Sequence, residues 1–126
     1  MTMRTPLKNV RHLGSAKEGA DHFLKQRVTA VANVFLGLFL VWLIASLIGA
    51  DHARVKASLS NPLIALAMLA LIVSGTIHMR LGMQTIIEDY VNGEASKIVL
   101  LMLNTFFAAF IALASIFAIL KLSFGA

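Results

Sequence analysis

Three long stretches without a charged residue dominate the chain. They run from Val28 to Ala50, from Ser58 to Met79, and from Ile98 to Leu120. A helix crossing a hydrocarbon core of roughly 30 Å takes about 20 apolar residues at about 1.5 Å each, so every stretch is long enough to span. The short alternating segments of a transmembrane barrel are missing. The pattern predicts an all-α integral membrane protein with three transmembrane helices at about 28–49, 62–87 and 97–120.

Local signals refine these limits. Ser15-Ala16-Lys17-Glu18 fits a capping box, in which a serine and a glutamate three residues later satisfy free amides at a helix start. A short amphipathic segment is therefore expected to begin near Ala16 and run into the first span. Asn61-Pro62 is a natural start for the second helix, because proline in a first turn loses no hydrogen bond. Asn92-Gly93 is a turn signal between the second and third spans. With no internal repeat or low-complexity linker, residues 1–126 read as one domain, of which 1–27 form an N-terminal segment outside the membrane.

Composition supports this reading. At 59% hydrophobic and 13% charged, a chain of this size lacks the polar residues to cover itself in water. It has no cysteine, which excludes disulfides, thiolate metal sites and self-ligated iron–sulfur clusters. The net charge of +5 does not point to nucleic acid. Six of the 11 basic residues precede residue 28, directly ahead of an apolar run, as anionic head groups and membrane topology require. The same 27 or so polar-rich residues argue against a secretory signal. Arg4, Lys8, Arg11, Lys17, Lys25, Arg27, Arg80 and Lys97 fall on one side, and Arg54, Lys56 and Lys121 on the other. That asymmetry puts the N-terminus and second loop in the cytoplasm (or a mitochondrial matrix) and the C-terminus outside.

Within a span the polar residues carry the chemistry. Ser74, His78 and Gly82 are four apart and share a helix face, with Gly75 adjoining it. Small residues above and below an imidazole leave room for something flat, such as a haem that the imidazole would ligate. The same spacing also serves close helix packing, with the histidine bonded to a neighbouring helix. Both readings are open, and one membrane histidine supplies only one axial ligand. Glu88-Asp89-Tyr90 is the second constellation. Two carboxylates at a helix C-terminus oppose its dipole, and a tyrosine beside a carboxylate can hydrogen-bond a quinone carbonyl. Tyrosine is equally an ordinary interfacial residue. Arg27 snorkels to lipid phosphate or pairs with an anionic cofactor group. Asn33, Asn104 and Thr105 read as interhelical hydrogen-bonding residues, and Met68, Met79, Met83 and Met102 as packing. Trp42 and the phenylalanines read as lipid-facing or packing residues, and His12, His22 and His52 as hydrated surface residues.

Three segments together resemble a known family. These are His22-Phe23-Leu24-Lys25-Gln26-Arg27-Val28-Thr29-Ala30, His78-Met79-Arg80-Leu81-Gly82-Met83 followed by Ile87-Glu88-Asp89-Tyr90-Val91, and Leu13-Gly14-Ser15-Ala16-Lys17-Glu18-Gly19. In order and spacing they are similar to the hydrophobic membrane anchor subunits of succinate dehydrogenase, the smaller anchor chain of complex II, in its alphaproteobacterial branch. The resemblance covers nearly the whole chain. It departs at Leu24-Lys25, near where many relatives carry an aromatic residue.

The resemblance implies that His78 is an axial ligand to a b-type haem shared with a cytochrome b subunit, which brings the second histidine. Ser74, Gly75, Gly82 and Arg27 would then line the cofactor, with Arg27 near the propionates. Tyr90 would hydrogen-bond ubiquinone as substrate, with Asp89 as its acidic neighbour. The chain would dock an iron–sulfur subunit and a flavoprotein to the membrane, and would not oxidise succinate alone. Its expected location is a bacterial inner membrane, ahead of a mitochondrial one. The alternatives are a fumarate reductase anchor and, from another class, a non-redox scaffold or transporter accessory subunit with His78 as packing.

Overall fold

The computed structural model describes residues 18–125, and these form four helices. They are α1 (Glu18–Ser46), α2 (His52–Leu59), α3 (Pro62–Tyr90) and α4 (Glu94–Phe124). The three long ones are apolar enough to cross a membrane. At 29, 29 and 31 residues, each measures about 43–46 Å. That exceeds the roughly 30 Å of hydrocarbon, so each tilts or projects into the interface.

α1 continues through Arg27 without a break, with Lys25 ion-paired to Asp21 at 2.8 Å one turn away. Apart from Glu18, the proposed Ser15–Glu18 cap lies outside the described residues. At the other end α1 stops at Ser46, although the uncharged run continues to Ala50. Gly49, at φ 75°, takes the left-handed conformation that only glycine adopts without strain. The chain turns there before the apolar stretch is used up.

α2 has no counterpart among the predicted elements. Asp51 caps it, accepting a hydrogen bond from the Arg54 amide at 2.9 Å. Ser58 and Leu59 therefore belong to this helix and its end, and α3 opens at Pro62, where the Asn61 side chain accepts from the Leu63 amide at 3.0 Å. α3 then runs past Arg80 to Tyr90. This places His78 near the middle of the helix, 12 residues before its end. Residues 91–93 link it to α4, as the Asn92-Gly93 signal anticipates.

α3 is the central element, packed against both α1 and α4, and α2 rests on α3 and α4. A core cluster lies at the α2 end, where Leu43, Leu59 and Ile119 meet Phe39, Ile64, Met68 and Ile72. Toward the other end of α3, Leu81 and Ile87 are buried, while along the outer faces of α1 and α4 Phe35, Phe110 and Phe117 are 68–70% exposed. In water such a surface would drive aggregation; here it faces lipid or partner chains.

Candidate functional site

A groove of about 580 Å³ opens between α1 and α3, on the side of the molecule away from α2. From α1 it is lined by Gly19, His22, Phe23, Gln26, Arg27 and Ala30, and from α3 by His78, Gly82 and Thr85. The α1 positions recur every three to four residues, so one helix face carries them all. That face exists only because α1 runs on past Arg27. His22 is therefore not the hydrated surface residue that the sequence suggests: it is half-buried and turned into the groove. Its Nε2 and the Oε1 of Gln26 are buried without a hydrogen-bond partner. Buried polar atoms without partners are costly, and these two hold unused hydrogen-bonding capacity on the α1 face of the groove. Arg27 adds a cation, its guanidinium 4.9 Å from the centre of the Phe23 ring.

His78 is tied to α1. Its Nδ1 lies 3.1 Å from Thr29 Oγ1, and one turn earlier Ser74 Oγ donates to the Thr29 carbonyl at 3.3 Å. Thr29 Oγ1 also lies 2.8 Å from the Lys25 carbonyl and 3.1 Å from that of Gln26. The small residues behave as their spacing implies. A Cβ at Gly82 would meet Gln26 Nε2 at 3.4 Å, whereas one at Gly75 would meet nothing within 4 Å. Ser74, His78, Gly82 and Arg27 thus converge on the α1–α3 crossing, and Gly75 leaves open space beside it. Thr29, Gln26 and Thr85, which carried no assigned role in the sequence, complete the site together with His22. The amphipathic segment expected to run into the first span does so as part of α1, and its helical periodicity over residues 19–30 sets the α1 residues on one face.

Asp89 and Tyr90 stand apart. Asp89 points nearly as His78 does around the helix, as its eleven-residue spacing requires, but the groove stops at Thr85. Tyr90 ends α3, 80% exposed and about 18 Å along the axis from His78. Asp89 is also exposed, and Glu88 accepts from Gln84 Nε2 at 2.8 Å.

Other expectations resolve individually. Asn104 and Thr105 do bond across helices: Asn104 Nδ2 donates to the Arg80 carbonyl at 2.9 Å, and Arg80 Nε donates to Thr105 Oγ1 at 3.3 Å. Asn33 is half-buried, and its Oδ1 has no partner. Met79 and Met83 line an apolar groove between α3 and α4, Met68 packs in the core, and Met102 is exposed. Trp42 is exposed beside Phe39, and His52 is exposed near Lys56 and Lys121. His12 lies outside the described residues. Among the described residues no three His, Asp or Glu side chains gather into a metal site.

Residues 1–117 match the family model described as succinate dehydrogenase/fumarate reductase transmembrane subunit. The succinate dehydrogenase hydrophobic membrane anchor subunit of Paracoccus denitrificans is 31% identical over 97% of this chain and 94% of its own length. The protein of the same name from Rickettsia bellii is 28% identical, over 92% and 93%. A succinate dehydrogenase membrane anchor subunit of Reclinomonas americana is 30% identical over 73% of this chain and 79% of its own. With three spanning helices and a match along almost its entire length, the chain belongs to the succinate dehydrogenase/fumarate reductase transmembrane subunit family.

Proposed function

We propose that this chain is the hydrophobic membrane anchor of a bacterial succinate dehydrogenase. In this reading it docks the flavoprotein and iron–sulfur subunits to the inner membrane, shares a b-type haem with the cytochrome b subunit, and forms part of the ubiquinone-reduction site. One observation carries the haem reading. The α1–α3 groove presents the His78 imidazole together with two buried polar atoms that have no partner, His22 Nε2 and Gln26 Oε1.

These residues fit a haem. His78 would be one axial ligand, and the cytochrome b subunit would supply the other. Arg27 and His22 would take the anionic propionates by charge-assisted hydrogen bonds. Gly75 leaves the backbone clear, and over Gly82 only the end of the flexible Gln26 side chain comes close. A b-type haem supplies one-electron transfer, at a potential set by its axial ligands and their hydrogen bonds. The chain's own work is to hold the imidazole, cover the propionates and exclude water.

The excess of Lys and Arg on the N-terminal side supports a cytoplasmic position for the α3–α4 link. Tyr90 and Asp89 then lie at the cytoplasmic end, where electrons from the peripheral subunits would arrive. The exposed Tyr90 hydroxyl would donate to a quinone carbonyl, with Asp89 as a proton source. The pocket would be completed by the iron–sulfur subunit.

The test is to purify the chain with its companions and record a reduced-minus-oxidised spectrum. A b-type signal that His78→Ala abolishes is the expected result. A preparation without haem and without a flavoprotein would overturn the assignment.

A further inference from the structure

We propose that Thr29 is the positioning residue for His78, fixing the imidazole as the tautomer that carries its proton on Nδ1 and leaves the Nε2 lone pair free. This inference rests on the reading of His78 as a haem ligand, and it assigns a role to a hydroxyl on a different helix.

Proton counting sets the direction of each bond. A threonine hydroxyl has one proton to donate and two lone pairs to accept with. Thr29 Oγ1 lies 2.8 Å from the Lys25 carbonyl, the usual backbone acceptor for a threonine inside a helix. A carbonyl cannot donate, so if that contact is a hydrogen bond, the proton lies on it. Oγ1 can then only accept from His78 Nδ1, 3.1 Å away. In this arrangement both contacts are hydrogen bonds. If instead Oγ1 turned its proton to Nδ1, the bond to Lys25 would be lost and nothing gained. The two arrangements differ by one hydrogen bond, which favours Nδ1–H by about two- to tenfold.

A neutral imidazole protonated at Nδ1 has its lone pair on Nε2. Among the described residues no hydrogen bond occupies His78 Nε2, and the ring lines the groove. Metal-bound histidines commonly donate their second ring N–H to a protein acceptor, which orients the ring and raises its basicity. Thr29 supplies that acceptor. It is itself held by α3 at a second point, because Ser74 Oγ donates to its carbonyl at 3.3 Å. Ser74 and His78 lie one turn apart on α3 and straddle the same α1 residue. The aim of the imidazole is therefore set by the α1–α3 crossing and not by α3 alone.

The experiment uses the intact complex carrying Thr29→Val, Thr29→Ala, Thr29→Ser or His78→Ala. Two quantities are read: the haem midpoint potential by optical redox titration, and the rate at which haem is lost to an excess of an apoprotein scavenger. Valine keeps the shape of threonine without its acceptor. Alanine removes the acceptor without adding bulk, so an assembly defect peculiar to valine leaves the hydroxyl tested. Valine and alanine are expected to raise the loss rate about two- to tenfold. The potential is expected to move positive in both, because a less basic ligand stabilises ferric iron less. Serine is expected to stay near wild type in both quantities.

Wild-type loss rate and potential in both Thr29→Val and Thr29→Ala, with haem absent from His78→Ala, would overturn the role of Thr29 and leave His78 standing. If Thr29→Ser changed as much as Thr29→Val, the effect would be packing and the proposal would fail. Haem retained unchanged in His78→Ala would instead overturn the ligand assignment beneath it.

Discussion

Gly82 offers a way to separate the groove's function from the stability of the fold. Replacing it by leucine makes α3 locally a better helix, since leaving glycine gains about 0.8–1 kcal/mol of intrinsic propensity. The same change fills the site. An added Cβ already stands 3.4 Å from Gln26 Nε2, and leucine places three further carbons beyond it, in the space that His78 and Gln26 share. Overpacking of this kind costs about 1–3 kcal/mol. On the proposed reading, in which this groove holds haem, the crowding falls on the cofactor and converts to roughly a 5- to 140-fold loss of haem affinity at about 1.4 kcal/mol per tenfold. Gly82→Ala is the control: its contact is with the far end of a flexible side chain, which yields by a few tenths of an ångström. The assay is haem per flavin in the purified complex, from a pyridine haemochrome spectrum and flavin absorbance, with the assembly's thermal midpoint measured alongside. The expected result is depleted haem in Gly82→Leu with a midpoint no lower than that of haem-free His78→Ala, and wild-type haem in Gly82→Ala. A full haem-to-flavin ratio in Gly82→Leu would refute the claim that this groove holds the cofactor.

Three further outcomes are expected. Tyr90→Phe removes one exposed hydroxyl at the end of α3 and should lower quinone reduction while leaving succinate oxidation by an artificial soluble acceptor intact; equal retention of both activities would exclude Tyr90 from the quinone site. Asn104→Leu deletes the bond to the Arg80 carbonyl, and should destabilise the α3–α4 pair by about 0.6–1.7 kcal/mol, the range for hydrogen bonds between membrane helices, as read by unfolding in mixed micelles. Because the chain has no cysteine, single cysteines report its orientation: Asn92→Cys should react with an impermeant maleimide only in inverted vesicles, and Ser123→Cys only in right-side-out ones, and the reverse pattern would invert the proposed topology.

What the sequence reveals, and what it conceals, follows from how each feature is encoded. The spans are legible because about 20 uncharged residues in succession have few uses besides crossing a bilayer. α2 is not, because its eight residues are neither apolar enough for a span nor long enough for a periodic signal, and only Asp51 marks its start. His78 is legible as a polar group in an apolar stretch. Thr29 is not, since a threonine that bonds its own helix is unexceptional until His78 is seen beside it. His22 and Gln26 escape for a different reason. Charge density separates the polar segment ending at Arg27 from the span beginning at Val28, and the helix ignores that boundary. A continuous helix carries the His22–Gln26 face into register with Ala30 and the groove, so the polar segment before the first span is half of the site. The charge pattern that orients the chain and the helical phase that builds the groove are therefore two messages in the same residues. Arg27 belongs to both, as a topogenic cation and as a groove wall. Its replacement by glutamine would alter charge without breaking the helix, and any loss of haem it caused at unchanged topology would belong to the second message alone.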